Sequence, residues 1–402
     1  MKRLYTEIVL KHLEHYPQMV FLTGPRQIGK TTIAKELQNH FSRFLYLNWD
    51  IIDDRAKILQ GDKAILPDLL PDLLQKTHPL IVFDEIHKYK DWKNYLKGFI
   101  DQHKGSIHTI VTGSAKLNVF RKGGDSLMGR YFLYRVHGLS VGELLNTTLN
   151  ADFFRHPQEI SEDIWQQLME FGGYPEPFLN KNKQFQQRWQ NLRHEQLFRE
   201  DIRTLSQVQD LAQMETLAYQ LRFQVGQLVS YSNLAKKVRI SDSTVRRWMD
   251  LMDSFYYCFT IQPWSTNVAR SLLKEPKVYL WDWSLVTDKG SRIENFVACH
   301  LLKAVHYWTD CGLGKFDLYF IRDKEKREVD FLITKDLCPW LLLEVKKSAR
   351  EPISPTLLHF AKQLNPQYAF QLSYDAEYVD IDFTTLNTPK ILPLKTFLSQ
   401  LP

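Results

Sequence analysis

The feature that most narrows the fold is the octapeptide Gly24-Pro25-Arg26-Gln27-Ile28-Gly29-Lys30-Thr31, set between an apolar run, Met19 to Thr23, and a helical pattern, Thr31 to Phe41. It satisfies GxxxxGK[ST] in the strand-then-helix context that the spacing requires. Its glycines let successive backbone N–H groups curl round a β-phosphate at the positive end of the following helix. Lys30 can reach the β- and γ-phosphates, and the Thr31 hydroxyl is placed for magnesium. Gly24 through Thr32 are therefore the expected contacts for ATP.

Cleaving a phosphate requires acid groups at the end of a second apolar strand, and Leu80-Ile81-Val82-Phe83-Asp84-Glu85 supplies them. Asp84 is expected to hold magnesium, and Glu85 to orient and polarise the attacking water. The alternative is that both only cap the next helix. The run His108 to Val111 ends in Thr112-Gly113-Ser114, which puts two hydroxyls, those of Thr112 and Ser114, where a γ-phosphate sensor belongs, although turn chemistry accounts for the same residues. Arg130 is a candidate arginine finger, against the alternative of a surface ion pair. If it acts on another copy, a dimer or ring is required.

Between Met19 and Leu145 short apolar runs alternate with helical patterns, the signature of parallel strands joined by crossover helices, so the first domain is α/β. From about 150 to 215 the pattern is helical, broken at Gly172-Gly173-Tyr174-Pro175. The expected organisation is a P-loop domain over 1–148, a helical connector over 149–215, a helix-turn-helix unit with aromatic strands over 216–290, and an α/β end domain over 291–402. The 402 residues suffice for several cores, and 44% hydrophobic with 13% aromatic residues excludes disorder. The four cysteines form no CxxC pair, which points away from a zinc site or a disulfide framework. There is no signal-peptide core and no 18-residue apolar span, so the expected location is the cytoplasm, with no membrane partner. Net charge is +6, and residues 217–277 carry nine Lys or Arg against four Asp or Glu.

Taken together, GPRQIGKTT, LNWDIIDDR, LIVFDEIHK, TGSAKL and SLMGRYFLYRVHGLSVGEL resemble the prokaryotic AAA-like, STAND-related P-loop ATPases. GGYPEP, IENFVACHLL, REVDFLI and LLLEVKKS resemble the C-terminal domain of unknown function of the same family. The resemblance implies an AAA (ASCE) parallel sheet with an additional strand, then a winged helix, then a restriction-endonuclease-like fold.

Within 216–290, Ser232 is expected to cap a helix through Val238, and Ser241 to cap a second helix reaching about Met252. Val245, Trp248, Met249 and Met252 make one packing face. The other face carries Thr244, Arg246 and Arg247, with Lys236 and Lys237 before it, an arrangement able to meet DNA or simply to stay solvated.

Near the C-terminus, strands Arg327 to Ile333 and Trp340 to Lys346 flank a hairpin-length stretch, Thr334 to Pro339. Pairing that sets Asp330 opposite Glu344 also sets Leu332 opposite Leu342. Asp330 and Glu344 would then chelate a divalent metal with Glu294 as a further ligand, and Lys346 would stabilise the attacking hydroxide or scissile phosphate. This segment resembles the PD-(D/E)xK nucleases, without the proline expected before the aspartate. The alternative is a Glu328–Lys346 ion pair with Asp330 solvated. The expected activity is a magnesium-dependent ATPase working as a switch or motor on nucleic acid, with the nuclease-like site active or lost. A regulatory ATPase whose C-terminal half only docks is the other reading.

Overall fold

The computed structural model describes residues 1–69, 78–113, 127–149, 152–203, 210–265 and 275–402. Internal contacts divide them into two compact units, Met1–His137 with Thr147–Leu149, and Gly138–Asn146 with the residues from Asn150 onward.

In the first unit, α1 (Leu4–His15) precedes β1 (Met19–Thr23), α2 (Lys30–Glu36), β2 (Phe44–Asn48), α3 (Ile52–Gln60) and α4 (Asp62–Leu69). β3 (Leu80–Asp84), α5 (Trp92–His103), β4 (His108–Gly113) and β5 (Tyr131–Arg135) complete it. The five strands are parallel in the order β2-β3-β4-β1-β5. β4 is thus inserted between the strand that precedes the glycine loop and the strand that ends in Asp84. β1 and β3 are buried along their whole length, as strands covered on both faces must be, and this is why they read as unbroken apolar runs. α5 turns Trp92, Leu96, Phe99 and Ile100 onto one face of the sheet, against Phe21 and Phe83.

The expected helix over Thr31 to Phe41 is shorter than its pattern: after Glu36 it tightens into a 3₁₀ turn over Leu37–His40. Only Leu37 of that turn is buried, so little packing holds it in the wider α-helical form.

The second unit contains α6 (Val141–Leu145), α7 (Glu162–Phe171), α8 (Pro175–Asn180), α9 (Lys183–Glu195) and α10 (Leu211–Leu221). Next come α11 (Tyr231–Val238), α12 (Asp242–Ser254), β6 (Cys258–Pro263), β7 (Lys277–Leu280) and α13 (Lys289–Asp310). β8 (Phe316–Arg322), β9 (Glu328–Lys335), β10 (Cys338–Lys346), α14 (Pro355–Leu364), β11 (Tyr368–Ser373), β12 (Lys390–Pro393) and α15 (Leu394–Ser399) close the chain. One seven-stranded sheet, β12-β11-β10-β9-β8-β6-β7, runs through this unit. The aromatic hairpin β6–β7 that follows the helix-turn-helix therefore forms its edge.

α12 buries Val245, Trp248, Met249 and Met252, the face read from the sequence, and Ser241 Oγ accepts from the Thr244 N–H at 3.1 Å. At α11 the capping position belongs to Ser230 rather than Ser232, because the helix already starts at Tyr231. The β9–β10 hairpin has the expected register, Leu332 opposite Leu342, but a tighter turn. Only Asp336 and Leu337 connect the strands, both with positive φ (50° and 70°), as a two-residue primed turn demands. Asp-Leu is a poor sequence signal for such a turn, which is why the loop read longer than it is. Among the described residues no helix is long and apolar enough to cross a membrane, and the four cysteines are free.

Candidate functional site

The loop after β1 is bent by positive φ at Gly24 (153°), Gln27 (61°) and Gly29 (100°). A Cβ at Gly24 would lie 2.4 Å from the Val136 carbonyl oxygen, so only glycine fits there. Lys30 Nζ lies across the loop, donating to the carbonyls of Gly24 (2.9 Å) and Pro25 (2.7 Å). An anion entering the loop exchanges those weak partners for charged ones.

Register carries the acidic groups to the same end of the sheet, because Asn48, Asp84 and Thr112 are direct neighbours on β2, β3 and β4. Asp84 accepts hydrogen bonds from Thr31 Oγ1 at 3.1 Å, from the Tyr46 hydroxyl and from Thr112 Oγ1. Burial, then the adjoining carboxylate, pushes the Tyr46 hydroxyl well above its ordinary pKa, so it remains a donor. Asp84 is fixed by hydroxyls and caps no helix. Thr31 and Asp84 together offer the hydroxyl and carboxylate oxygens that suit magnesium.

Glu85 stands one residue beyond the strand in the left-handed region (φ 57°), an unfavourable backbone for a residue with a Cβ. Its N–H donates to the Thr112 carbonyl at 3.1 Å. Burial raises its pKa against the opposing pull of Lys88, with smaller contributions from Asp84, Lys30 and Arg26. Lys88 lies 3.5 Å away and His87 3.6 Å, and Oε2 accepts no hydrogen bond among the described residues. A buried carboxylate oxygen that accepts no hydrogen bond, with cations just beyond bonding distance, suits a general base for water. Ser114 lies outside the described residues. Thr112, the other hydroxyl of the expected sensor, instead donates to Asp84.

The structure also brings together the C-terminal group read from the sequence, with one addition. Lys277, at the start of β7, is 2% exposed and sends Nζ to Glu328 (2.8 Å), Glu294 (3.3 Å) and Asp330 (3.6 Å). Tyr279 donates to Glu294 at 2.7 Å, the Val345 N–H donates to Asp330 at 2.8 Å, and Lys346 pairs with Glu344 at 2.7 Å. Glu328 bonds Arg322 as well, so the expected Glu328–Lys346 alternative does not form. Burial and the charge of Asp330 push Glu294 and Glu344 up to about 7. Lys277 is held above the ordinary lysine value by its carboxylates despite burial. Among the described residues no group of three or more His, Cys, Asp or Glu is arranged to hold a metal.

Residues 16–145 match the family described as AAA domain. The N-terminal unit carries an AAA domain. Residues 162–290 and 289–395 match two families described as domains of unknown function, DUF8612 and DUF4143. The chain is similar to the uncharacterized protein Rv2008c of Mycobacterium tuberculosis, 22% identical over 363 residues, 87% of this chain and 74% of that protein. It is also similar to the uncharacterized protein MJ1637 of Methanocaldococcus jannaschii, 22% identical over 399 residues, 87% and 81% respectively. Among solved structures it resembles the Aeropyrum pernix ORC1 protein in complex with DNA, at 12% identity and a TM-score of 0.30 over 73% of this chain and 90% of that one.

Within the AAA domain two arginines stand apart from the sequence reading. Arg130 is not brought to the phosphate loop. It precedes β5 at the opposite end of the strands from the loop, roughly 20 Å along the strand direction, where it grips Asp101 through Nε (2.7 Å) and Nη2 (2.9 Å). Arg3, which belongs to no motif of the sequence, is buried, and its guanidinium donates to the carbonyls of Ile28 (2.6 Å) and His137 (2.7 Å). It ties the back of the phosphate loop to the chain leaving β5. Its signal was the helical pattern Leu4, Ile8 and Val9 behind it, which buries α1. We expect Arg3→Met to weaken nucleotide affinity by about tenfold, the value of one charge-assisted bond of roughly 1.5 kcal/mol. Equilibrium binding of a fluorescent ATP analogue measures this, with partial recovery on adding guanidinium.

On α11 and α12, Lys236, Lys237, Arg246 and Arg247 are exposed and Thr244 is half-buried. Arg246 lies over the Tyr231 ring, 4.7 Å from its centre, which fixes its direction.

Proposed function

We propose that this chain is a magnesium-dependent ATPase acting as an ATP-driven switch or motor on nucleic acid. The winged-helix and nuclease-like segments would form its nucleic-acid-facing half. The observation that carries the ATPase part is the alignment of Lys30, Thr31, Asp84 and Glu85 at one end of a five-stranded parallel sheet. Lys30 leaves its loop carbonyls for the β- and γ-phosphates. Thr31 and Asp84 would hold magnesium, which neutralises phosphate charge when bound. Glu85 aligns water and accepts its proton. Arg130, at the end of the strands away from the loop, could reach a γ-phosphate only on a neighbouring copy. Mixing Arg130→Ala with Lys30→Ala chains tests this, since recovered turnover requires a shared site.

The nucleic-acid part rests on the exposed basic face of α11 and α12. In a duplex-DNA titration over increasing salt, the Arg246→Ala/Arg247→Ala chain should bind at least about tenfold more weakly. Its log–log salt slope should be shallower by about 1 to 2, because each lost phosphate contact removes close to one unit. Affinity unchanged by salt, or by both substitutions, would remove this part and leave the second reading. That reading is a regulatory ATPase whose C-terminal half docks without cutting. It is favoured by the engagement of Glu294, Glu328 and Asp330 with Lys277.

A further inference from the structure

The nuclease-like reading of the C-terminal domain brings with it a divalent metal, and the residues present do not fit one. A hard cation takes about six oxygen ligands, several of them from carboxylates turned inward. Here three of the four carboxylates each already place an oxygen on one ammonium: Glu328 at 2.8 Å, Glu294 at 3.3 Å and Asp330 at 3.6 Å from Lys277 Nζ. The fourth, Glu344, gives Oε1 to Lys346, leaving only Oε2 without a partner among the described residues. The second oxygen of Asp330 is taken by the Val345 N–H.

There is no room beside Glu294 either. Gly226, at φ 75°, lies so close that a Cβ there would come within 2.8 Å of Glu294 Oε2. The Gly226 N–H is itself anchored to the Val278 carbonyl at 3.0 Å, next to Lys277 in sequence. The segment through Gly226 and the strand carrying Lys277 therefore close over the carboxylates together.

We propose that Lys277 stands permanently where the cation of a nuclease would have to sit. The centre is then a metal-free ionic joint that fastens the β6–β7 hairpin to α13 and β9, and it does not cut nucleic acid. The inference rests on the nuclease-like reading only for the identity of the ion displaced. Ion exclusion follows from charge and space: a buried ammonium within about 4 Å repels a divalent ion strongly and already satisfies the acids that would bind it.

Mn²⁺ is the probe, counted by electron paramagnetic resonance of the free ion. The full chain carries Asp84→Asn to silence the ATP site. With Lys277 intact, no Mn²⁺ should be taken up at this centre up to millimolar concentration. Adding Lys277→Ala should create one site per chain, at least about 100-fold tighter than the background, and further Asp330→Asn should abolish it. At saturating Mn²⁺, the Lys277→Ala chain should melt about 5 °C or more above its metal-free midpoint, while the Lys277 chain should not shift. The proposal is overturned if the Lys277 chain binds one Mn²⁺ that Asp330→Asn removes. It is also overturned if a folded Lys277→Ala chain binds none. Should Lys277→Ala fail to fold, Lys277→Met carries the same arm, and the Lys277-intact titration decides by itself. ATP turnover, measured with Asp84 restored, should be the same with and without Lys277. Loss of turnover in the unsubstituted chain would count against the ATPase reading and leave this inference standing.

Discussion

Replacing Glu85 with glutamine is expected to leave nucleotide retention intact while lowering ATP turnover by about 10²- to 10⁴-fold, the usual contribution of a positioned general base. Glutamine keeps the shape and one acceptor oxygen but cannot take a proton from water. Binding should survive because the cradle consists of the loop amides, Lys30 and Thr31, none of which leans on Glu85. The pH profile separates this role from a structural one. Burial raises the Glu85 pKa above the ordinary glutamate value of 4.5, so wild-type turnover should fall on the acid side with a midpoint above that value. That limb should vanish from the residual rate of Glu85→Gln. Stability moves the other way. A carboxyl with a raised folded-state pKa contributes most below its unfolded value, and that contribution is lost as pH rises through the folded one. At neutral pH the glutamine chain should therefore melt no lower than wild type. Equal turnover in the two chains would remove Glu85 from the chemistry. Lys30→Ala, by contrast, should fail to retain nucleotide at all.

The difference between what was legible in the sequence and what was not follows from chain distance. The phosphate loop is built within eight consecutive residues, so its spacing alone states its geometry, and the carboxylates of β3 adjoin their own apolar strand. The packing face of α12 was equally legible, since helical periodicity is local. Tyr46 and Arg3 were not. Tyr46 sits in a half-buried strand where a tyrosine reads as packing, and it meets Asp84 only because β2 lies beside β3 in the sheet. Arg3 finds His137 across 134 positions. Lys277 misled most directly. It counts among the nine basic residues of 217–277 and so adds to an apparent surface excess. Yet pairing of β7 with β6 takes it inside, onto carboxylates from α13 and β9. The hairpin register of β9 and β10 could be read because Leu332 and Leu342 must both face inward. What stood in front of the acids came from a strand more than fifty residues earlier.

A second large effect is expected where the chain enters the second unit. Lys303 on α13 sends Nζ to the Gly138 carbonyl (3.1 Å), to Ser140 Oγ (2.7 Å) and to Glu143 Oε2 (2.5 Å). The two charged side chains are 2% and 1% exposed. One turn earlier on α13, His300 Nε2 accepts from the Val141 N–H at 3.1 Å, and Nδ1 lies 2.8 Å from the Phe296 carbonyl. Burial lowers the His300 pKa to about 3, so the ring is neutral and its proton is on Nδ1, the only arrangement that satisfies both contacts. Residues 138–143 are thus held by α13 through a buried ion pair and a histidine with no spare valence. Breaking such a pair from one side leaves a charge in a site that water does not reach, which costs about 3–5 kcal/mol. Lys303→Met should therefore lower the unfolding free energy of the second unit by about that amount in a denaturant titration. Lys303→Met/Glu143→Leu should recover most of the stability, because an apolar pair of similar volume removes both desolvation costs. A positive coupling of several kcal/mol in that double-mutant cycle is the expected signature. If Lys303→Met costs less than about 1 kcal/mol, or the double substitution is no more stable than the single, the pair is not what holds this segment in place.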